Sequence, residues 1–418
     1  IIMEQKFEKQ DAFMETLSIK DARQLALFAQ GFLPPAGQVA GIEDVKNVLM
    51  RTGALQIDTI NIVARAPYFS LWSRLGDYDP TWLNRLLEEK QIFEYWAHAA
   101  CFLPIEDYGL HRRLAMEGQR QSWYPRWYEE HKSETDAVLE HIRQHGAVKS
   151  VDFKRQDGQR GTWWDWKIEK RALEYWFASG ELMISKRVNF QRVYDLRERV
   201  LPDWRDEDAP DLMTVHQELV HRSMAAIGVF LPAWVPDYYR LPKNEVSRIV
   251  QGMIETRRLI ELKVDDWGET AYALPGVWES YQAERQRISA SLSATILSPF
   301  DSLIWDRTRT RRLFGFDFSI ECYLPQEKRK YGYYLLPILL EGELIGRMDA
   351  KAHRKEGLFE IKGLFLEPGV KVNKQLAETL AKMVTACATW HKTPRVHLVH
   401  CEPETLSGSL QPFLSLWV

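Results

Sequence analysis

Cysteine is scarce in this chain. Cys101, Cys322, Cys387 and Cys401 are the only four in 418 residues, and no two of them form a C-x-x-C pair. That distribution argues against a zinc ribbon or a disulfide framework and fits a reducing cytoplasm. Long apolar runs are missing too. None approaches the roughly 18 residues that cross a bilayer, and the N-terminal stretch has no signal-peptide pattern. A cytoplasmic protein without membrane attachment is therefore expected. Nor is there a glycine-rich phosphate loop or a G-x-S-x-G elbow, which removes the common nucleotide-binding and serine-hydrolase readings. His98 with Cys101, and His397 with His400 and Cys401, lack a second pair at metal-ligand spacing, so they read as structural and no metal or cofactor is expected. An excess of positive charge is absent as well: 55 Lys and Arg stand against 58 Asp and Glu. This does not exclude nucleic acid, because phosphates are gripped by one local face.

What is present is a chain too long for a single core, with 45% hydrophobic and 27% charged residues, as in ordinary globular proteins. Basic residues outnumber acidic ones between Lys149 and Arg199, a stretch that includes Lys167, Lys170 and Arg171. Arg307, Arg309, Arg311 and Arg312 form a tighter cluster, followed by Lys328, Arg329 and Lys330. Trp163, Trp164 and Trp166 read first as packing residues, with base stacking as the alternative.

Read in order, the chain repeats a local grammar. Ser18 is an N-cap candidate ahead of an amphipathic helix. A second helix lies between Gly41 and Gly53, and a third starts at Thr81. The apolar runs Gln91–Trp96 and Ala99–Pro104 then read as a hairpin. Helices at Ala137–His145 and Trp166–Ser179, with a short extended or turn element at Val151–Phe153, precede a second hairpin at Leu182–Ile184 and Phe190–Tyr194. Helices from Val215, near Trp234 and from Pro242 precede a third, Leu259–Leu262 with Thr270–Leu274. Helices followed by a hairpin are the grammar of winged helices. After Leu297 the sequence becomes β-rich, with a hairpin about Glu341-Gly342-Glu343, a helix at Lys374–Trp390 and a last strand at Arg395–His400. The expectation is an α+β protein of three tandem winged-helix domains, at 15–125, 126–205 and 206–292, followed by a β-barrel-like domain at 293–418.

The stretch Leu55-Gln56-Ile57-Asp58-Thr59-Ile60-Asn61 stands out chemically. In an extended segment Gln56 and Asp58 project from one face, whereas on a helix they diverge by about 200°. An amide beside a carboxylate can hold a water or face a developing cation without a metal. Gln-x-Asp is a weak pattern alone, and the same two side chains could simply terminate a strand.

It does not occur alone. Gln56 to Asn61, Arg65-Ala66-Pro67-Tyr68, Ser73-Arg74-Leu75-Gly76, Glu94-Tyr95-Trp96-Ala97-His98, Ser298-Pro299-Phe300-Asp301, Trp305-Asp306-Arg307, Lys328 to Tyr334 and Gly346 to Lys351 follow one another in order. Together they resemble the YcaQ branch of the AlkZ-like winged-helix DNA glycosylases. The resemblance implies three winged helices with a β-barrel, a catalytic pair at Gln56 and Asp58, and excision of N7-alkylated guanine, including unhooking of interstrand crosslinks. Double-stranded DNA carrying such guanines is then the partner of a monomeric enzyme, which the resemblance places at the nucleoid within the cytoplasm. Arg65, Lys167, Lys170, Arg171, Arg309, Arg311 and Arg312 are the candidate DNA contacts. N7-alkylation puts a positive charge on the attached guanine, which then leaves as a neutral base without a general acid and passes the charge to the sugar. Asp58 is thus asked to stabilise an oxocarbenium-like sugar and Gln56 to place a water, as in glycoside hydrolysis. No lysine nucleophile is needed, and strand cleavage is not expected. The competing expectation is a non-catalytic winged-helix DNA-binding regulator in which both side chains are structural.

Overall fold

The computed structural model describes residues 14–32, 39–119, 125–153, 168–291 and 294–414. Trp163, Trp164, Trp166 and Lys167 lie outside the described residues.

Hairpins form where the period-two pattern placed them. The chain opens with strand β1 (Glu15–Leu17) and helix α1 (Ile19–Ala29), which Ser18 caps by accepting from the Asp21 backbone N–H at 3.1 Å. Helix α2 (Ile42–Thr52) ends at Gly53, in the left-handed conformation with φ of 67°. Strand β2 (Leu55–Gln56), α3 (Ala66–Leu75), α4 (Thr81–Glu88) and the hairpin β3 (Ile92–Trp96) and β4 (Ala100–Pro104) follow. These strands form a three-stranded sheet in the order β2-β4-β3.

A second such sheet contains β5 (Val148–Lys149), β6 (Leu182–Val188) and β7 (Gln191–Leu196), with helix Lys132–His145 before β5 and helix Ile168–Ala178 between β5 and β6. The short extended element thus lies at Val148–Lys149 and pairs with β7, while Val151 and Asp152 turn. The third hairpin, β8 (Ile260–Val264) and β9 (Thr270–Ala273), follows helices Leu212–Ile227 and Lys243–Glu255. Its third strand is β1, which pairs parallel to β8 from Glu15 with Leu262 to Leu17 with Val264. The first residues described therefore complete a sheet formed by residues far along the chain.

The last region holds β10 (Thr295–Ile296), β11 (Leu335–Leu340), β12 (Glu343–His353), β13 (Leu358–Leu366), β14 (Arg395–Leu398) and β15 (Cys401–Glu402). They form one six-stranded sheet in the order β10-β11-β12-β13-β14, with β15 also on β13. It is a curled half-barrel, in keeping with the barrel-like or curled sheet expected there, and the strand order leaves β10 and β14 as edges. Helices Lys374–Trp390 and Thr405–Leu414 accompany it.

Several of the recurring motifs are joints between these regions. Arg74 and Asp301 are both buried and pair bidentately at 2.7 and 2.9 Å. Arg74 also donates to the carbonyls of Gln30 at 2.7 Å and Ser70 at 2.9 Å. The Gln30 amide donates in turn to the Ala226 carbonyl at 2.6 Å, while its oxygen accepts from Ser302 at 2.6 Å. One hydrogen-bonded knot thus ties α1, α3, the helix Leu212–Ile227 and the start of the last region, and every polar group in it has a partner. Beside it Trp72, Tyr78 and Trp390 stack at 6.0 and 5.7 Å. Glu94, buried in β3, meets Arg187 of β6 at 2.8 Å and also pairs with Arg192 of β7. The first two hairpins are joined through that carboxylate.

Candidate active site

Gln56 ends β2, opposite Cys101 of β4. The ladder continues one residue further, because Ile57 donates its N–H to the Ala100 carbonyl at 2.7 Å. Asp58 then leaves the sheet. Its Oδ1 accepts from the Ile60 N–H at 2.7 Å, the turn that a short carboxylate side chain makes with backbone two residues on. The extended face expected to carry both side chains thus runs only as far as Ile57, and Asp58 is set by a turn. Both Gln56 and Asp58 are half-buried. The Gln56 side chain makes no hydrogen bond among the described residues.

The turn is pinned from the far side by the half-barrel. Ala352, near the end of β12, donates its N–H to the Ile62 carbonyl at 2.9 Å. Arg354 donates to the side-chain oxygen of Asn61 at 3.2 Å and to the carbonyl of Val63. Val63 and Ala64 are buried, and α3 begins directly after Arg65. Residues 57–65 therefore bridge β4, the middle strand of one sheet, and the end of β12 beyond its pairing with β11 in another. Asn61 was legible as part of a motif; Arg354, which holds it, and Ala352, which holds Ile62, were not.

Cys322, Tyr323 and Tyr334 lie within electrostatic reach of Asp58. Burial, and then the Asp58 charge, pushes the Cys322 thiol up to about 11. Partial burial of the hydroxyl end and then the same charge raise Tyr323, although most of that residue is exposed. Tyr334 is raised by burial and by the same carboxylate. The Asp58 carboxyl is itself raised from its ordinary value, because burial outweighs its bond from Ile60. A carboxylate destabilised by desolvation interacts strongly with any cation placed beside it.

That wall is built by two buried carboxylates. Glu321 accepts from the N–H groups of Tyr331 and Gly332 at 3.0 and 3.2 Å. Asp349 accepts from Tyr333 and Tyr334 at 3.1 and 3.2 Å. Asp349 sits where the β12–β13 register slips, pairing with Gly363 while Ala350 pairs with Ile361. Such a slip re-aims side chains at a sheet edge. Gly332 has φ of 148°, and a Cβ there would overlap the Asp349 carboxylate. Gly332→Ala is therefore expected to destabilise the protein by about 1–3 kcal/mol, the usual cost of overpacking. Chemical denaturation measures it, and an unchanged midpoint would mean that this turn does not depend on the Asp349 contact.

His98 stacks on Trp305 at 4.1 Å with 7° between the rings. Its Nδ1 lies 3.0 Å from the Asp237 carbonyl and its Nε2 3.0 Å from Arg240. Burial, then Arg240, lowers it to about 4, so the neutral ring donates from Nδ1 and accepts at Nε2.

The expected basic face at Arg309, Arg311 and Arg312 does not exist as one face. Arg309 is only 3% exposed and donates to the carbonyls of Ser302 and Leu303, at 2.6 and 3.4 Å. It is an interior residue and cannot reach a phosphate. Arg312 is turned onto Trp267, donating to its carbonyl, and lies 3.6 Å from Glu269. Arg311 is exposed, paired with Asp317 at 2.6 Å. Helical spacing explains the split: Arg309 and Leu313, and Thr310 and Phe314, are four apart and share the buried side of one helix. Lys170 is half-buried and Arg171 is exposed on their helix. Arg65 lies over the Phe190 ring at 4.1 Å, beside the turn that carries Asp58.

Two comparisons with known proteins bear on this arrangement. The DNA glycosylase AlkZ of Streptomyces sahachiroi shares the fold at a TM-score of 0.57 and 14% identity, over 92% of this chain and all of that one. The family model described as AlkZ-like DNA glycosylase matches residues 49–390, a span that takes in Gln56 and Asp58, the knot at Arg74 and Asp301, and the wall from Glu321 to Asp349. The chain belongs to the AlkZ-like DNA glycosylase family.

Proposed function

We propose that this protein is a monofunctional DNA glycosylase that hydrolyses the N-glycosidic bond of N7-alkylguanine and unhooks guanine–guanine interstrand crosslinks. The observation that carries the reading is Asp58, a half-buried carboxylate held by backbone on both sides of its turn. An N7-alkylated guanine is already cationic and departs without a general acid. What the reaction lacks is stabilisation of the positive sugar and a nucleophile on its far face. Asp58 supplies the first electrostatically, since its charge is preorganised and partly desolvated. The unengaged Gln56 amide positions the water, for which Asp58 also serves as the base. Because water and not an amine attacks, the product is an intact strand with an abasic site.

The three helix-and-hairpin units, in the proposed division 15–125, 126–205 and 206–292, act as winged helices that grip the duplex on either side of the half-barrel, with one protein copy per lesion. Arg65, Lys170, Arg171 and Arg311 remain candidate phosphate contacts on this reading. The test is incubation of the purified protein with duplex DNA bearing N7-methylguanine, followed by alkaline cleavage of abasic sites. Alkali-dependent breaks are expected, and none before alkali. A DNA-binding regulator would give no breaks under either condition.

A base tied to the opposite strand cannot be withdrawn into a closed pocket, unlike the substrate of a base-flipping enzyme. Asp58 instead stands at an open turn, 60–62 being half-buried or exposed. Crosslinked and singly alkylated duplexes are thus expected to react within about tenfold of each other, about 1.4 kcal/mol in barrier. Single-turnover release on matched substrates measures this. A reactive monoadduct beside an inert crosslink would mean that the base must be swallowed whole.

A further inference from the structure

Tyr323 is 70% exposed and Leu324 is 39% exposed, an unusual pair of side chains to leave in water on one loop. The loop is not slack. Glu321 closes its base by accepting from Tyr331 and Gly332. Leu324 N–H returns to the Glu321 carbonyl at 2.9 Å, and Arg329 Nε donates to the Leu324 carbonyl at 2.9 Å. The Arg329 guanidinium lies over the Tyr333 ring at 4.9 Å. Lys328 and Lys330 are exposed on the returning limb, with Glu327 as the acidic neighbour. The base of the loop reaches the Asp58 turn through Asp349 and Ala352 of one strand: Asp349 holds Tyr333 and Tyr334, and Ala352 holds Ile62.

A rigid tip bearing an exposed aromatic and an apolar neighbour, backed by cations, is what base stacking and phosphate contact require. We propose that residues 321–332 form a DNA-contacting wedge, in which Tyr323 stacks on a base beside the damaged nucleotide and Lys328 and Lys330 take the adjoining phosphates. The proposal rests on the glycosylase reading for its position next to Asp58, but it concerns contacts that reading does not need. Preorganisation matters here: because hydrogen bonds within the loop already hold its backbone, little ordering opposes insertion of the ring. The wedge also fits a crosslinked substrate, since it opens a step next to the lesion without extracting the tied base.

The experiment uses the full chain and a duplex holding a tetrahydrofuran abasic analogue with 2-aminopurine as its neighbour. Binding of the wild type is expected to change 2-aminopurine emission. Tyr323→Ala is expected to abolish that change and weaken binding about tenfold, within the range for loss of one base–aromatic stack. Tyr323→Phe is expected to restore both, because the face of the ring and not the hydroxyl makes the contact. Lys328→Ala with Lys330→Ala is expected to flatten the log–log salt dependence by about 0.9 for each phosphate lost. Wild-type binding without an emission change, or an alanine variant equal to wild type, overturns the wedge. A phenylalanine variant as poor as alanine overturns stacking in favour of the hydroxyl, and an unchanged salt slope overturns the phosphate contacts. These readouts need no base release. A protein that binds in this way but never cleaves a glycosidic bond would refute the glycosylase reading and leave the wedge standing.

Discussion

Replacing Asp58 by asparagine is expected to slow base release by about 100- to 1,000-fold, since one preorganised electrostatic contact contributes about 2.7–4 kcal/mol to a transition state. Asparagine keeps the shape and can still accept from the Ile60 N–H, so the turn survives while the charge goes. DNA affinity is expected to stay close to wild type, because the ground-state sugar is neutral. Single-turnover release and a binding titration separate the two effects. A folded Asp58→Asn protein with near-normal turnover would remove this residue from the chemistry. The pH dependence supplies a second check with a defined sign. Burial raises the Asp58 carboxyl above its ordinary value, so the active, ionised form is lost earlier on acidification than for an exposed aspartate. The rate of release is expected to climb with pH through a midpoint above that of an exposed aspartate, and Asp58→Asn is expected to erase that limb.

The second large effect is structural. Asp301→Ala leaves the Arg74 guanidinium charged and buried, with Ser70 and Gln30 as its only remaining acceptors of those described. Removing one partner of a buried pair typically costs about 3–5 kcal/mol. A lower chemical-denaturation midpoint and a matching loss of activity are expected, since the same knot seats α3, and α3 follows directly on the Asp58 turn. The double replacement Arg74→Met with Asp301→Leu is expected to recover much of the stability, because neither charge is then stranded. If Asp301→Ala unfolds like wild type, the knot does not hold these regions together.

Much of this architecture was legible because it follows local periodicity. The three antiparallel hairpins, the Ser18 cap and the Gly53 stop rest on neighbours within a few residues, and the chain folds there as those neighbours dictate. What escaped depends on partners far away in sequence. Strand β1 is three residues long and exists only because β8 offers an edge. Glu94 is a lone acid in an apolar strand, which signals a buried partner without saying that two arginines of the next hairpin provide it. Arg309 was misplaced because charge was read along the sequence, whereas its helix sorts residues by face. The candidate pair was identified from a motif, but the turn at Asp58 was not, since it is set jointly by Ile60 and by a strand edge contributed by β12.

The hydrogen bond from Ala352 to Ile62 and the grip of Arg354 on Asn61 and Val63 have a consequence for how the protein is made. Synthesis proceeds from the N-terminus, and regions fold as they leave the ribosome. Gln56 and Asp58 emerge early, yet the strand that registers their turn is translated only after the three helix-and-hairpin units are complete. Until β12 arrives, the Asp58 turn of a nascent chain rests on its nearby bonds alone, from Ile60 to Asp58 and from Ile57 to Ala100. On the glycosylase reading, full competence for hydrolysis then waits for Arg354, and a product that stops short of it is expected to bind DNA but to release bases from it slowly.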